Sequence, residues 1–342
     1  MKCVTIKAPR EMVLEDRDIT PKPGPEAVLI EVKAVGICGS DIHAYRGTQP
    51  FQSYPRVLGH ELSGTVSAGT GDLEEGQPVT MEPLLRCGVC YPCRIGRYNC
   101  CTDLKVIGVH ADGGMCEKIW VPRELVHPLP PDSSLEEGAM VEPLAIACQA
   151  VGRSRLSKGE TALVIGAGPI GLLSLQVAKA RGARVFISEV DPLRLDLAEK
   201  LGADATINPV QDDIASRLDE LTIGEGPNVV IEAVGSEKTI TDSLELVSAA
   251  GRVVMVGLFS GKLELEPVGI IRKELDLLGS RNSNGKFPEA ISLIREGRVN
   301  LGDLVTHRFP LEMAPEVFRD LDKGALEAVK VLLFTAAREA GS

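Results

Sequence analysis

From Thr161 onward the chain alternates short apolar strands with amphipathic helices, and this rhythm constrains the fold more than any other feature. Strand-like TALVI, ARVFIS, DATIN and NVVIEAV are each followed by a helix-like segment, and GRVVMVG continues the series. Strands that alternate with helices of about 10–15 residues favour a doubly wound parallel sheet. The sequence therefore predicts an α/β domain, which we assign to residues 151–282.

Three glycines separate the first of these strands from its helix, in the pattern Gly166-x-Gly168-x-x-Gly171. In this context the first glycine permits a tight turn, the second lets a pyrophosphate approach, and the third lets helix and strand pack closely. The free N–H groups at the start of the helix then face the phosphates. We therefore predict a dinucleotide site that also includes Pro169 and Ile170.

A carboxylate at the end of the second strand indicates which dinucleotide is bound. Glu189 follows Gly171 by 18 residues. A carboxylate there accepts hydrogen bonds from the adenosine ribose and repels a 2′-phosphate, which favours NAD over NADP. The alternative is a surface charge at a strand end. Arg194 could stack on adenine or soften the discrimination, and we also assign Leu258 to the cofactor site.

The nine cysteines are unevenly distributed, because five of them fall within fifteen residues. Their spacing, Cys87-x2-Cys90-x2-Cys93-x7-Cys101, suits one tetrahedral zinc ion with no open coordination position. We predict a structural zinc lobe over about residues 85–102. A group of buried or redox-active thiols and an iron–sulfur cluster are the alternatives, and adjacent Cys100 could be the fourth ligand.

The odd cysteine count, in a chain whose first residues contain no apolar secretion signal, argues against a disulfide framework. Cys3, Cys116 and Cys148 lie in apolar stretches, so we expect them to pack as small hydrophobic side chains.

The first part of the chain has a different rhythm. Short strand-like runs are separated by turn signals such as PKPGP and GTGD, which predicts an irregular β-rich domain. The final strand, Val329–Phe334, could return to it. We assign residues 1–150 and 283–342 to this domain.

Charge excludes several classes of partner. The chain has 37 Lys and Arg against 48 Asp and Glu, a net charge of −11. Nucleic acid and anionic membranes attract basic surfaces, so neither is expected as a partner. The longest uncharged run, 161–178, contains four glycine or proline residues and is read as buried core rather than a membrane span. We expect a cytoplasmic protein.

Two short stretches contain the side chains of a second metal site. GICGSDIH holds Cys38, and VLGHE holds His60 and Glu61. A thiolate, an imidazole and a carboxylate with an open fourth position are the ligands of a catalytic zinc ion. Glu142 lies in the apolar run GAMVEPLAIACQAV, where a carboxylate is costly without a cation. It is therefore a candidate fourth or exchanging ligand.

Taken together, these motifs resemble the zinc-dependent medium-chain alcohol and polyol dehydrogenases. The resemblance covers nearly the whole chain: VGICGSDIH, the GHE triplet, the four-cysteine lobe, DGGMCEK, VEPLA and IGAGPIG occur in family order. It implies a GroES-like β domain completed by the carboxyl-terminal segment, a Rossmann domain between its two parts, and an active-site cleft at their junction. It also implies two zinc ions per chain and Cys101 as the last lobe ligand.

The resemblance further assigns roles to individual residues. Cys38, His60 and Glu61 would bind the catalytic zinc, with Glu142 binding directly or through water. Ser40 would contact the substrate hydroxyl, and His43 would pass its proton on through the cofactor ribose. Asp41 would contact the ring of the zinc-bound His60 without binding the ion itself, and so fix its tautomer.

The substrate is predicted from two details. Glu61 beside His60 is typical of the sorbitol dehydrogenase-like and threonine dehydrogenase-like branches. Arg281 matches the position of an arginine that faces substrate hydroxyls in polyol dehydrogenases, although a cofactor-phosphate or structural contact is equally consistent. YPRVLGHE and GSRNS resemble bacterial L-galactonate and L-gulonate 5-dehydrogenases. We therefore expect NAD-dependent oxidation of a secondary hydroxyl in a polyol or hexonate.

Several alternatives stay open at this point. L-Threonine 3-dehydrogenase or another zinc alcohol dehydrogenase activity is the main one. Two readings without this chemistry are a zinc-binding structural protein on a dehydrogenase fold and a zinc-free quinone reductase using NADPH. A homodimer or homotetramer is expected from the resemblance, with the segment 251–261 as an edge that could pair between subunits.

Overall fold

The computed structural model describes residues 1–18, 21–69 and 71–335. They form two compact units. The first comprises Met1–Glu142 and Leu301–Ser342, and the second comprises Pro143–Asn300. The chain therefore leaves the first unit, builds the second, and returns.

The strands, in chain order, are β1 (Lys2–Ala8), β2 (Glu11–Asp16), β3 (Ala27–Ile37), β4 (Arg56–Val57), β5 (Glu61–Ala68), β6 (Pro78–Met81), β7 (Leu84–Leu85), β8 (Lys105–Val106), β9 (Lys118–Pro122), β10 (Val126–Pro128), β11 (Thr161–Ile165), β12 (Arg184–Ser188), β13 (Ala205–Ile207), β14 (Val229–Glu232), β15 (Arg252–Met255), β16 (Asp276–Gly279), β17 (Val305–Pro310) and β18 (Lys330–Phe334).

The α-helices are α1 (Gly39–Arg46), α2 (Tyr91–Arg94), α3 (Leu135–Ala139), α4 (Val141–Arg153), α5 (Pro169–Ala180), α6 (Pro192–Lys200), α7 (Ile214–Thr222), α8 (Glu237–Leu246), α9 (Pro267–Lys273), α10 (Phe287–Arg295) and α11 (Ala314–Lys323). Short 3-10 helices of the described chain lie at Tyr98–Cys100, Arg123–Leu125 and Leu311–Met313.

The first unit is built around one long strand. Strand β3 pairs antiparallel with β5, β9 and β18, within the sheet order β10-β6-β5-β3-β18-β17. A second sheet has the order β2-β1-β4, and β7 pairs with β8. Apolar residues that alternate along these strands fill the core, among them Val28, Ile30, Leu62, Val121 and Leu333. The prediction that the final strand returns to this domain is confirmed.

The second unit is a parallel sheet with the order β13-β12-β11-β14-β15-β16. The four inner strands, β12, β11, β14 and β15, read as mostly apolar buried runs, as expected for a parallel sheet covered on both faces. The strand order reverses between β11 and β14, so ligands of this fold bind at the carboxyl ends of those strands. The predicted doubly wound sheet is confirmed.

Two details of the predicted organisation differ from the structure. The boundaries lie after residues 142 and 300, not 150 and 282. Helix α4 is continuous, and α10 is tied to the second unit because Glu289 pairs with Arg181 at 2.8 Å. The Gln176 side chain also bonds the Asn300 backbone at 2.6 and 3.0 Å.

The predicted sheet edge at 251–261 is also wrong. Strand β15 lies inside the sheet, because Asp276–Gly279 adds a sixth strand beyond it. The uncharged run 161–178 divides into β11 and most of α5. Among the described residues, no helix is long and apolar enough to cross a membrane.

Candidate metal and dinucleotide sites

The four lobe cysteines converge between β7 and β8. The sulfur atoms of Cys87, Cys90, Cys93 and Cys101 all lie within 4.8 Å of one another. Pairs at 3.4 and 3.5 Å are close to the separation of about 3.8 Å that four zinc–sulfur bonds of about 2.3 Å give in a tetrahedron. The set therefore fits a closed zinc site, and Cys100 lies outside it.

Local backbone geometry brings these sulfurs together. The N–H groups of Cys87 and Cys90 each donate to a lobe sulfur at 3.4 Å. Backbone N–H donors, first that of Thr102, lower the pKa of the Cys90 thiol to about 6, whereas burial, together with the bond to Cys90, raises the pKa of the Cys93 thiol to about 12. Because the thiolate is the form that binds metal, Cys90 is the lobe thiol that these donors prepare for zinc.

A second set of ligand atoms comes from two separate segments of the first unit. Cys38 lies between β3 and α1, His60 directly precedes β5, and Glu61 begins it. One atom from each lies within 4.8 Å of the others, and His60 and Glu61 are buried. The three side chains supply a thiol, an imidazole and a carboxylate, which are donor types that zinc takes in proteins, so the set fits a metal ion.

Asp41 lies beside this set but does not make the bond predicted for it. Its Oδ2 accepts the Cys38 N–H at 2.9 Å at the start of α1, while its Oδ1 lies 3.7 Å from His60 Nδ1. Burial raises the pKa of the Asp41 carboxyl. In the structure Asp41 therefore braces the segment of Cys38 and approaches His60 only at ion-pair distance.

Glu142 is close to the set without belonging to it. Its side chain is buried, and its Oε2 has no partner among the described side chains and backbone groups. Burial raises the pKa of its carboxyl to about 8, against the effect of nearby His60. Among the described residues, the compact group comprises Cys38, His60 and Glu61. Glu142 is therefore a buried neighbour of this group and not one of its members.

Ser40 and His43 are on helix α1, immediately after Cys38. Residues three apart lie on the same side of a helix, so the two side chains are neighbours. Ser40 is half-buried and His43 is exposed, with its Nδ1 3.1 Å from Thr48 Oγ1. Ser40 therefore lies at a partly enclosed position, and its neighbour His43 is in contact with solvent.

The glycine turn has the geometry that its spacing predicts. Gly166 has a φ of 97°, a conformation that favours glycine. A Cβ at Gly171 would collide with the Gly166 carbonyl, so helix and strand could not pack as they do. Gly168 precedes α5, whose first residues Pro169 and Ile170 are half-buried. The N–H groups at the start of this helix lie beside the reversal in strand order, where such groups are suited to bind an anion.

Glu189 directly follows β12, and its carboxylate makes backbone hydrogen bonds that the sequence does not predict. Its Oε2 accepts the Ala167 N–H at 2.8 Å, and its Oε1 accepts the Val190 N–H at 2.7 Å. The carboxylate is half-buried. The carboxylate therefore holds the glycine turn in place through Ala167. It also lies at the strand end where the adenosine ribose of a dinucleotide is expected.

The other predicted cofactor residues follow neighbouring strands of the same sheet. Arg194 is half-buried on α6 and pairs with Asp191 at 3.4 Å. Leu258 follows β15 and is 90% exposed. Arg281 is exposed after β16. Because parallel strands end at one edge, all three lie on the side of the sheet where the glycine turn is.

Comparison with known proteins gives the family. Residues 24–131 match the alcohol dehydrogenase GroES-like domain, and residues 169–296 match the zinc-binding dehydrogenase domain. The chain is 38% identical to L-galactonate-5-dehydrogenase of Escherichia coli (strain K12) over 339 residues, covering 95% of this chain and 98% of that one. The chain belongs to the zinc-dependent alcohol dehydrogenase family.

Other members of this family are similarly close. L-Threonine 3-dehydrogenase of Pyrococcus horikoshii is 38% identical over 299 residues, covering 84% of this chain and 86% of that one. A protein of Sinorhizobium meliloti 1021 bound to NADP superposes with a TM-score of 0.92 at 34% sequence identity. The match covers 97% of this chain and 98% of that one. An alcohol dehydrogenase of Escherichia coli CFT073 in complex with NADH superposes with a TM-score of 0.91 at 35% sequence identity. The match covers 98% of this chain and 99% of that one. Zinc and a nicotinamide dinucleotide are the cofactors of this family.

One buried ion pair of this dehydrogenase was not predicted from the sequence. Lys330 on β18 pairs with the Glu61 carboxylate, and both side chains are only 2% exposed. The lysine also donates to the Ile37 carbonyl at 3.1 Å. A Cβ at Gly36 would clash with the Glu61 carboxylate and crowd the Lys330 side chain, so the ion pair in this position leaves little room for a larger residue there. A lysine inside the apolar run VKVLLF is the signal that sequence reasoning missed.

A second buried carboxylate was also missed. Glu232 ends β14, and its Oε1 accepts the N–H groups of Val234 and Gly235 at 2.9 and 2.8 Å and the Thr239 hydroxyl at 2.8 Å. These bonds fix the loop at the carboxyl end of the strand next to the reversal in strand order. An acidic residue that ends an apolar strand is the available signal.

Proposed function

We propose that this enzyme oxidises a secondary hydroxyl of a polyol or sugar acid to a ketone and transfers the hydride to NAD. The observation that carries the proposal is the convergence of Cys38, His60 and Glu61 in a chain that also holds the glycine turn. Three protein ligands of these types leave one coordination position open, as catalytic zinc sites do.

The two ligand sets would have different roles. Cys38, His60 and Glu61 would hold the reactive zinc ion, with Glu142 able to exchange with a ligand or act through water. The four lobe cysteines would hold the structural ion. When bound, zinc supplies a Lewis acid for the alcohol oxygen, and NAD supplies the hydride acceptor.

The residues of α1 would handle the proton. Ser40, half-buried next to Cys38, would accept the proton of the substrate hydroxyl. His43 would then carry it to solvent, to which its ring is exposed. Positioned proton transfer of this kind contributes roughly 10²–10⁴-fold to a rate.

A hexonate is the favoured substrate class. The L-galactonate-5-dehydrogenase relative covers nearly the whole chain at 38% identity. Arg281, exposed on the cofactor edge of the sheet, offers a planar guanidinium that can bind a carboxylate through two parallel bonds or contact substrate hydroxyls.

L-Threonine is the second candidate, because the threonine dehydrogenase relative is equally identical over a shorter alignment. The same guanidinium would bind the threonine carboxylate. The two candidates differ in the rest of the molecule, since a hexonate presents several hydroxyls and threonine presents an ammonium group.

The deciding experiment measures NAD reduction by the zinc-loaded enzyme across L-galactonate, L-gulonate, sorbitol, xylitol and L-threonine. We expect the highest kcat/KM with a hexonate. Arg281→Ala should raise KM for hexonates far more than for uncharged polyols. A preference for L-threonine would establish the alternative, and no turnover with any of the five would refute the proposed substrate class.

We further propose that the enzyme assembles as a homodimer or homotetramer through the sheet of its second unit. Strand β16 is an edge strand, and Leu277 on it is exposed, as are Val268 and Ile271 on α9. Light scattering of Leu277→Lys should show a smaller particle than the wild type. Val210→Lys, at an exposed apolar position elsewhere in the second unit, is the matched control.

A further inference from the structure

Two cysteines outside both ligand sets face each other in the first unit. Cys3 on β1 and Cys116, just before β9, form an isolated antiparallel bridge pair. Their side chains are 1% and 3% exposed, as expected for small hydrophobic residues. The zinc sites use neither of them.

The register of this bridge brings the two sulfurs close. The flanking bonds run from the Val4 N–H to the Met115 carbonyl at 2.8 Å and from the Glu117 N–H to the Lys2 carbonyl at 3.1 Å. This is the non-hydrogen-bonded type of antiparallel pair, in which the Cα atoms are about 4.5 Å apart and the side chains closest. That separation is within the range of about 4.4–6.8 Å that disulfides span.

The surroundings give the two thiols different reactivities. Hydrogen bonding from Cys116 lowers the pKa of the Cys3 thiol against the effect of burial, and the Arg17 charge adds to the lowering. The same bond to Cys3, together with burial, raises the pKa of the Cys116 thiol. The Cys116 sulfur is held 3.2 Å from the Lys118 carbonyl. Cys3 is therefore the better nucleophile, and Cys116 retains its proton.

A small cavity gives access to the pair. It has a volume of about 20 Å³ and is lined by both cysteines together with Met1, Arg17 and Asp112. Roughly 10–15 Å³ is enough for one water molecule. Hydrogen peroxide is slightly larger than water, whereas a tripeptide disulfide does not fit.

We propose that Cys3 and Cys116 are a redox pair that hydrogen peroxide converts to a reversible cross-strand disulfide. The Cys3 thiolate attacks peroxide, forms a sulfenic acid and releases hydroxide. Cys116 then attacks that sulfur, and the leaving oxygen departs as water. In sum, two thiols lose two electrons and two protons, one peroxide becomes two waters, and thiol reductants reverse the change.

The cross-link would fasten β1 to the segment that supports a zinc ligand. Residues 113–115 donate backbone bonds to Val57, Gly59 and Leu58 at 2.8–2.9 Å, directly before His60. A disulfide between residues 3 and 116 closes a long loop, and such loops restrict the unfolded chain most. The oxidised enzyme should therefore be more resistant to heat and should lose zinc more slowly.

The test exposes the zinc-loaded full chain to graded hydrogen peroxide, blocks remaining thiols with N-ethylmaleimide in denaturant, and maps peptides without reduction. We expect a Cys3–Cys116 peptide, a melting temperature higher by roughly 5–10 °C, and reversal of both by dithiothreitol. Cys116→Ala should lose the cross-link and the shift. Cys148→Ala, at another buried cysteine, should keep both.

Cys100 is half-exposed, so its oxidation serves as the internal control that hydrogen peroxide has reacted with the protein. Full alkylation of both Cys3 and Cys116 after Cys100 is oxidised would overturn the proposal, as would disulfides joining either one to another cysteine. Because the mapping uses the wild type, the result does not depend on whether the variants fold. An unchanged melting temperature in the cross-linked protein would overturn the stabilising role.

Discussion

The lobe and the Cys38 set both bring metal-ligating side chains within 4.8 Å, but they assemble in opposite ways. The lobe takes four sulfurs from fifteen consecutive residues, held by N–H donors of the same segment. The Cys38 set takes three different donors from two segments, with support from Lys330 near the other end of the described chain.

This difference is the basis on which we propose a structural role for the lobe and a reactive role for the Cys38 set. Four thiolates fill a tetrahedron and neutralise the ion more than fully, so nothing further binds. Three mixed donors leave a position open, and the buried charges around them require compensation from elsewhere in the fold. The open set therefore depends on the tertiary structure, whereas the lobe depends mostly on its own residues.

The comparison is tested most strongly at Cys38. Cys38→Ser should lower kcat by at least about 10³-fold and reduce bound zinc from two ions per chain to one, because the Lewis acid is lost. The lobe and both units should stay folded. NADH absorbance, metal analysis and circular dichroism measure the three effects. Cys148→Ser is the matched control, and near wild-type turnover in Cys38→Ser would remove the set from catalysis.

The dependence of the open set on the fold is tested at Lys330. Lys330→Met leaves the buried Glu61 carboxylate without its cation, and breaking such a pair costs about 3–5 kcal/mol. Denaturant unfolding of the metal-free protein measures the change in the free energy of unfolding. Lys330→Arg keeps the charge and should recover part of the loss. Equal stability of Lys330→Met and wild type would mean that the pair contributes nothing.

The lobe should respond in stability rather than in chemistry. Cys93→Ser should lose one zinc ion and destabilise the lobe by about 3 kcal/mol, while kcat at low temperature changes far less than in Cys38→Ser. Limited proteolysis should cut within residues 85–102. Cys100→Ser, beside the lobe but outside its ligand set, should behave like wild type. A loss of activity in Cys93→Ser as large as that in Cys38→Ser would erase the distinction.

The smallest effect is expected at Glu189, which belongs to neither metal set. Glu189→Ala should weaken NADH binding by about tenfold and relax discrimination against NADPH, because the ribose acceptor and the negative charge are both lost. Glu189→Gln keeps an acceptor for the glycine turn without the charge. Titration of protein fluorescence gives both dissociation constants. Unchanged selectivity in both variants would remove Glu189 from cofactor recognition.

The sequence predicts the features that neighbouring residues specify better than the features that distant segments build together. The order of β11 to β15, the glycine turn and the four-cysteine spacing were predictable, because each is specified by neighbouring residues. The Lys330–Glu61 pair joins residues 269 apart. The lysine inside VKVLLF signals a buried charge, but no local pattern identifies its partner.

Weak local signals account for the other differences. Strand β16 is as long as β14 and β15, but its residues are mostly exposed, so the buried apolar pattern of those strands is missing. The bracing of the glycine turn by Glu189 depends on the exact path of one side chain, which spacing does not fix. The Asp41 carboxylate could bond either His60 or the Cys38 N–H, and only the geometry of α1 selects the second.

The pairing of β3 with β18 has a consequence for biosynthesis. A ribosome that has made residues 1–300 has already supplied both metal-ligand sets and the whole parallel sheet. All residues of the second unit are then present, while the first unit still lacks the strand that supplies Lys330. A chain stalled shortly before that strand would hold the Glu61 carboxylate without the cation that pairs with it in the folded protein.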